Sequence, residues 1–156
     1  MVNRETGIDD DALSHKVLVV EQSLAVNRPI SEDAIDLLPK SGGFEIGGIT
    51  GGILDACAHR APVVIDGFIS TAAALLASRL NPNVKHYLFT RHQSTVAGHD
   101  LMLADLGLVP LVDLGMRLGE RTGSAFGLAK LKAASRLGCR VLTFEEARVT
   151  GPGIRD

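Results

Sequence analysis

The chain has no tryptophan and a single tyrosine, Tyr87, and aromatic residues make up only 4% of its 156 positions. Few rings leave few platforms on which bases can stack. The 16 basic residues are scattered and are outnumbered by 18 acidic ones, for a net charge of −2. Both observations speak against nucleic acid as a partner, which calls for a concentrated basic surface. Cysteine is scarce too. Cys57 and Cys139 lie far apart, and they form neither a disulfide framework nor a metal-ligand spacing. Two buried or semi-buried thiols and a reducing cytoplasm are the simplest expectation. The opening Met1-Val2-Asn3-Arg4-Glu5 holds no apolar signal core, and no apolar run reaches the ~18 residues needed to cross a bilayer. His59, His86, His92 and His99 lack the spacing of a zinc site, and His15 reads as a surface helix residue.

What the chain does have is aliphatic and small. Hydrophobic residues make up 46%, with 17 glycines. Such a composition suits helices packed closely on a parallel sheet, and the surplus of apolar side chains is also what a surface facing a partner chain would carry. The length fits one domain, residues 1–156, with enough chain to bury a core. Residues 1–8 and 151–156, the latter with Gly151-Pro152-Gly153, are expected to fray.

Periodicity divides the chain. Asp9-Asp10-Asp11 precedes a run in which Leu13, Val17, Val20 and Leu24 recur at helical spacing, closed by Asn27-Arg28-Pro29. Ser31 is expected to cap a short helix from Glu32 to Lys40. A third helix is expected from Phe44 to His59. Gly47, Gly48, Gly51 and Gly52 load it, each costing about 1 kcal/mol relative to alanine, so another backbone or a ligand is expected to approach closely. Pro62 to Gly67 reads as a buried strand. Ser70 and Thr71 are expected to open a helix from Ala72 to Leu80, which Asn81-Pro82-Asn83 closes. Tyr87-Leu88-Phe89 is a second strand, Thr90 to Ser94 its exit loop, and Thr95 to Leu106 the next helix, stopped by Gly107. Leu108 to Val112 is a third strand-like run that Pro110 demotes to an edge or irregular piece. Thr122 caps a helix from Ala125 to Leu137, and the chain from Gly138 onward is read as a frayed tail.

Three helices followed by alternating strands and helices predict an α/β fold, three-layer and Rossmann-like, with a small parallel sheet. The carboxyl ends of parallel strands then share one rim, where ligands bind. Asp66-Gly67, the loop from Arg91 to Ser94, and Glu120 all fall at strand exits on that rim. Glu120 stands on a polar, glycine-punctuated turn, Asp113-Leu114-Gly115-Met116-Arg117-Leu118-Gly119-Glu120-Arg121-Thr122-Gly123. It is either a base placed to take a proton from a bound substrate or a solvated loop glutamate. Likewise Asp66 is either a ribose ligand or an ordinary strand-end aspartate, Lys16 a phosphate ligand or an exposed helix lysine, and His92 a phosphate contact or a plain loop residue.

Six stretches bear on these alternatives in combination: Thr6-Gly7-Ile8-Asp9-Asp10, Leu24 to Pro29, Gly42 to Ile46, Pro62 to Leu75, Leu106-Gly107-Leu108, and Asp113 to Glu120. With Thr143 to Ala147 they resemble, in order and spacing, the C-terminal half of the nicotinate-nucleotide:dimethylbenzimidazole phosphoribosyltransferase family. The resemblance runs from about residue 4 to residue 150. It implies transfer of phosphoribose from nicotinate mononucleotide to 5,6-dimethylbenzimidazole in cobalamin biosynthesis, without metal or organic cofactor, by a homodimer. It implies Glu120 as the general base, Lys16 near the nucleotide phosphate, and Thr6 and Gly7 in a turn whose backbone approaches the nucleotide. Ser94 then lies at the phosphoribose end, and Asp66 and Gly67 lie beside the ribose.

Three departures bear on that implication. The family's N-terminal half is not matched, so a complementary half is an expected partner. Glu5 stands where the family has glycine before Thr6, and Arg121 replaces the glycine after Glu120. A non-catalytic paralogue that binds nucleotide, base or a partner protein is the alternative reading. A general dinucleotide-binding module fits less well, because no G-x-G-x-x-G follows a strand.

Overall fold

The structure, a computed structural model, describes residue 7 and residues 9–90, 98–111 and 122–148. Three helices lead: α1 Asp10–Asn27, α2 Ala34–Ser41 and α3 Phe44–Ala58. Then come β1 Val63–Ile65, α4 Phe68–Leu80, a 3₁₀ helix Pro82–Tyr87, β2 Leu88–Thr90, α5 His99–Leu106 and α6 Thr122–Arg140. The described fold is therefore α/β and helix-rich.

Each boundary has a local cause. The Asp9 carboxylate accepts from the Ala12 amide at 2.8 Å and starts α1. Arg28 ends it in the left-handed region, at φ 42°. Helix α2 begins two residues later than Ser31 suggests. The Asp33 carboxylate takes the amides of Ile35 and Asp36, whereas the Ser31 hydroxyl donates to Glu32 instead. An aspartate that reaches two amides outcompetes a serine that reaches none. Helix α4 begins at Phe68 rather than Ala72, because Gly67 supplies the turn that caps it.

The two strands pair in parallel with Val63 opposite Leu88, Val64 opposite Phe89 and Ile65 opposite Thr90. The second strand is shifted by one residue from expectation, since the 3₁₀ helix that follows Asn81 runs through Tyr87. No third strand forms among the described residues. Pro110 cannot donate, and one backbone bond remains, from the Leu111 amide to the Thr90 carbonyl at 2.9 Å. The described part of α5 starts at His99, after Gly98 at φ 92°. Helix α6 continues past Leu137 to Arg140, and Thr143 and Glu146 then close a turn, so the chain after Gly138 is not simply frayed there.

The core is centred on α4. Ala73, Ala74 and Ala77 are fully buried against Ile53, Ile65, Val84, Leu88, Leu103 and Leu106. Small α4 side chains let α3 approach, and Thr50 of α3 reaches the Ala73 carbonyl at 3.2 Å. Where the sequence suggested a buried face on α1, the helix has no buried residue. Val20 and Leu24 are exposed, and the principal packing of α1 is on α2. The α3 glycines divide likewise. A Cβ on Gly47 would meet Leu38 at 3.3 Å, but Gly48, Gly51 and Gly52 face open space. Among the described residues, therefore, nothing makes the close approach that those three glycines led one to expect.

Candidate active site

The exit of β1 is built from side chains that fold back onto it. Gly67 adopts φ 138° and ψ −170°, a region populated almost solely by glycine. Among the described residues a Cβ there would meet nothing within 4 Å, so the requirement they show is conformational. The Gly67 carbonyl accepts from the Thr71 hydroxyl at 2.7 Å, the Thr71 amide at 2.9 Å and the Ser70 hydroxyl at 3.0 Å. Ser70 in turn accepts from the Asp66 amide at 2.9 Å. Asp66 and Gly67 thus form a fixed, half-buried turn at the carboxyl end of the sheet.

Two further stretches of chain reach the same end. Thr90, 2% exposed, pairs opposite Ile65 and precedes the stretch that contains Ser94. Leu111 lies beside Thr90 through its amide bond and precedes the stretch that contains Glu120. On the far side of that stretch, α6 packs on β1 closely enough that a Cβ on Gly127 would lie 2.9 Å from a Val64 methyl. Lys130 Nζ of α6 also donates to the Leu111 carbonyl at 2.8 Å. Both ends of the Glu120-bearing stretch are thereby tied to the sheet.

Among the residues singled out from the sequence, Asp66 and Gly67 are brought together at this rim. Gly7 stands exposed in a turn at φ 74°. Lys16 stands exposed on α1, and among the described residues the principal packing of α1 is on α2. Thr6, Ser94 and Glu120 lie outside the described residues, as do Glu5, Arg121 and His92.

Two side chains without a site role in the sequence reading lie in the core beneath the Gly67 turn. Thr71 reads from sequence as a helix opener, and His99 as a histidine without ligand spacing. Both are fully buried, and the His99 Nε2 lies 2.9 Å from the Thr71 hydroxyl. A contact between residues 28 positions apart leaves no periodic trace; the only signal is an isolated histidine just after Gly98.

Other candidate sites fall away. No group of three or more metal-ligating side chains occurs among the described residues. Burial pushes the Cys57 thiol up from its ordinary value, which suits core packing rather than nucleophilic use. Cys139 is exposed, contrary to expectation. A cavity of about 620 Å³ lies between α2 and α3, lined by Leu38, Pro39, Phe44 and neighbouring glycines. None of the described site residues borders it, and the polar convergence at the sheet's end is the better candidate. No described helix is long and apolar enough to cross a membrane.

The phosphoribosyltransferase family profile matches residues 1–149, and the chain belongs to that family. Its relatives there carry a more specific name, nicotinate-nucleotide--dimethylbenzimidazole phosphoribosyltransferase. The protein of that name from Geotalea uraniireducens (strain Rf4) is 52% identical over 149 residues, 96% of this chain and 42% of that protein. The one from Roseiflexus sp. (strain RS-1) is 50% identical over 151 residues, 97% of this chain and 43% of the relative. The crystal structure of CobT from Thermus thermophilus superimposes with a TM-score of 0.82 at 37% identity, covering 97% of this chain and 45% of that one. The chain spans less than half the length of the relatives it matches.

Proposed function

We propose that this chain contributes the strand-exit half of a nicotinate-nucleotide:dimethylbenzimidazole phosphoribosyltransferase. In this reading phosphoribose passes from nicotinate mononucleotide to 5,6-dimethylbenzimidazole, giving α-ribazole 5′-phosphate and nicotinate, a step in assembling the nucleotide loop of cobalamin. One benzimidazole nitrogen attacks C1′. The bond from C1′ to the pyridinium nitrogen breaks, and its electron pair neutralises the departing nicotinate ring. The proton on the other benzimidazole nitrogen goes to the Glu120 carboxylate. A leaving group that is already cationic needs little acid assistance, so one base suffices. The same carboxylate offsets positive charge developing on the attacking ring.

The remaining roles follow the nucleotide. Lys16 supplies a point charge to the phosphate, Thr6 and Gly7 bring backbone close to it, and Ser94 meets the phosphoribose end. Asp66 and Gly67 face the ribose. The observation that carries this reading is the glycine-specific Gly67 turn at the end of β1, with Thr90 ending the paired strand and Leu111 bonded to it. That geometry supports a base and a ribose site on one rim. The reading assigns no metal or organic cofactor a part, and it places the reaction in the cytoplasm.

Completion by more polypeptide is part of the proposal, either as a homodimer or as a complex with the family's N-terminal half. A helix α1 without a buried residue supports it, as do Phe44 standing fully exposed and a line of open glycines on α3. The two strands among the described residues are fewer than a stable sheet ordinarily has. The full fold in this reading is one three-layer, Rossmann-like domain of which residues 1–156 form part. A turnover assay with both substrates, with and without the N-terminal half supplied in trans, tests the proposal. Product formed only with the added half supports a split active site. Nucleotide binding without product in either case favours a non-catalytic paralogue.

A further inference from the structure

Thr71 and His99 are both 0% exposed. Polar atoms so deeply buried are costly unless their donors and acceptors match. A threonine hydroxyl has one proton to give. Thr71 gives its proton to the Gly67 carbonyl, at 2.7 Å. Only the lone pairs of its oxygen are left to face His99 Nε2 at 2.9 Å, so that nitrogen must carry the hydrogen. The result is a directed relay. His99 Nε2–H donates to the Thr71 hydroxyl, and the Thr71 hydroxyl donates to the Gly67 carbonyl.

The relay ends on Gly67, a strand-exit residue whose backbone conformation is glycine-specific. Such a conformation persists when its surroundings over-determine it, and the Gly67 carbonyl has three donors to do so. His99 opens α5, the helix that follows Ser94 in the chain. The two hydrogen bonds therefore join the start of α5 to the turn that presents Asp66.

We propose that His99 is a positioning residue for the nucleotide end of the site. It acts through Thr71 on the Gly67 peptide and so sets the direction in which the Asp66 carboxylate meets a bound nicotinate mononucleotide. This inference rests on the reading of Asp66 and Gly67 as the ribose side of the pocket. His99 itself stays in the core and touches no substrate.

Nuclear magnetic resonance on the chain as it stands tests the relay. A two-bond proton–nitrogen spectrum, assigned by loss of signal in His99→Gln, is expected to show hydrogen on Nε2. Thr71→Val is expected to move the Gly67 carbonyl resonance, and Thr71→Ser to restore it. Titration with nicotinate mononucleotide is expected to show weaker binding by about tenfold for Thr71→Val, near the factor that one net hydrogen bond is worth, with Thr71→Ser close to wild type. An Nε2 without hydrogen, or a Thr71→Val chain that binds the nucleotide as wild type does, overturns the proposal. A wild-type chain that fails to bind the nucleotide even with the complementary N-terminal half present overturns the functional reading instead, and the relay is then decided by the two resonances alone.

Discussion

The backbone amide of Leu111 donates to the carbonyl of Thr90 across 2.9 Å. That single bond stands where a third strand was expected, and it fixes where the Glu120-bearing stretch begins. Lys130 grips the same residue from the other side, its ammonium 2.8 Å from the Leu111 carbonyl.

Lys130→Met should therefore loosen the base of that stretch while hardly touching the fold. An exposed lysine bonded to a neutral carbonyl contributes about 1 kcal/mol or less to stability. The expected outcome is a thermal midpoint close to wild type and turnover reduced several-fold, with Lys130→Arg intermediate. Steady-state kinetics beside a melting curve checks it, and equal turnover by Lys130→Met would count against the anchoring role.

Gly67→Ala should destabilise the chain by about 1–3 kcal/mol, the range for a residue forced into sparsely populated backbone space. Among the described residues the added methyl meets no atom within 4 Å, so the cost expected is conformational. Gly48→Ala is the matched control. It also faces open space, but within α3, and is expected to stabilise by up to about 1 kcal/mol. Urea unfolding of both variants should move in opposite directions.

Asp36 gives the pH dependence a sign. Its bond to Lys40, and then the Ile30 amide, hold its carboxyl below the ordinary aspartate range. A carboxylate with a lowered folded-state pKa stabilises fully above its unfolded value, near 4, and loses that contribution as pH falls through the folded value. Asp36→Asn should therefore melt lower than wild type at pH 7, and the gap should close as pH drops below about 4. Melting curves across that range test it; a gap that persists at pH 2 would assign the effect to something other than charge.

The sequence carried the order of elements because the signals were local. The apolar run from Pro62 to Ile65 bounded by Asp66-Gly67 marks β1 without reference to anything distant. Helix starts were less legible where two caps compete within three residues, as Ser31 and Asp33 do. At Ser70 and Thr71 the hydroxyls bond back to Gly67, so residues that look like an opening sit inside α4. The face of α1 could be read as amphipathic, but whether it is covered depends on what packs there. Within the site, the Asp66-Gly67 turn was visible in its residue types. The buried His99–Thr71 pair was not, since only the packing of α5 on α4 brings it together.

The central claim is that Glu120 accepts the proton that benzimidazole loses. Glu120→Gln keeps the shape of the side chain and removes its basicity. Assayed with nicotinate mononucleotide and 5,6-dimethylbenzimidazole alongside the complementary N-terminal half, the wild-type chain is expected to release nicotinate. The variant should lose at least ~100-fold in turnover, the lower end of what a positioned general base supplies, at an unchanged melting temperature. Full turnover by Glu120→Gln would contradict the assignment.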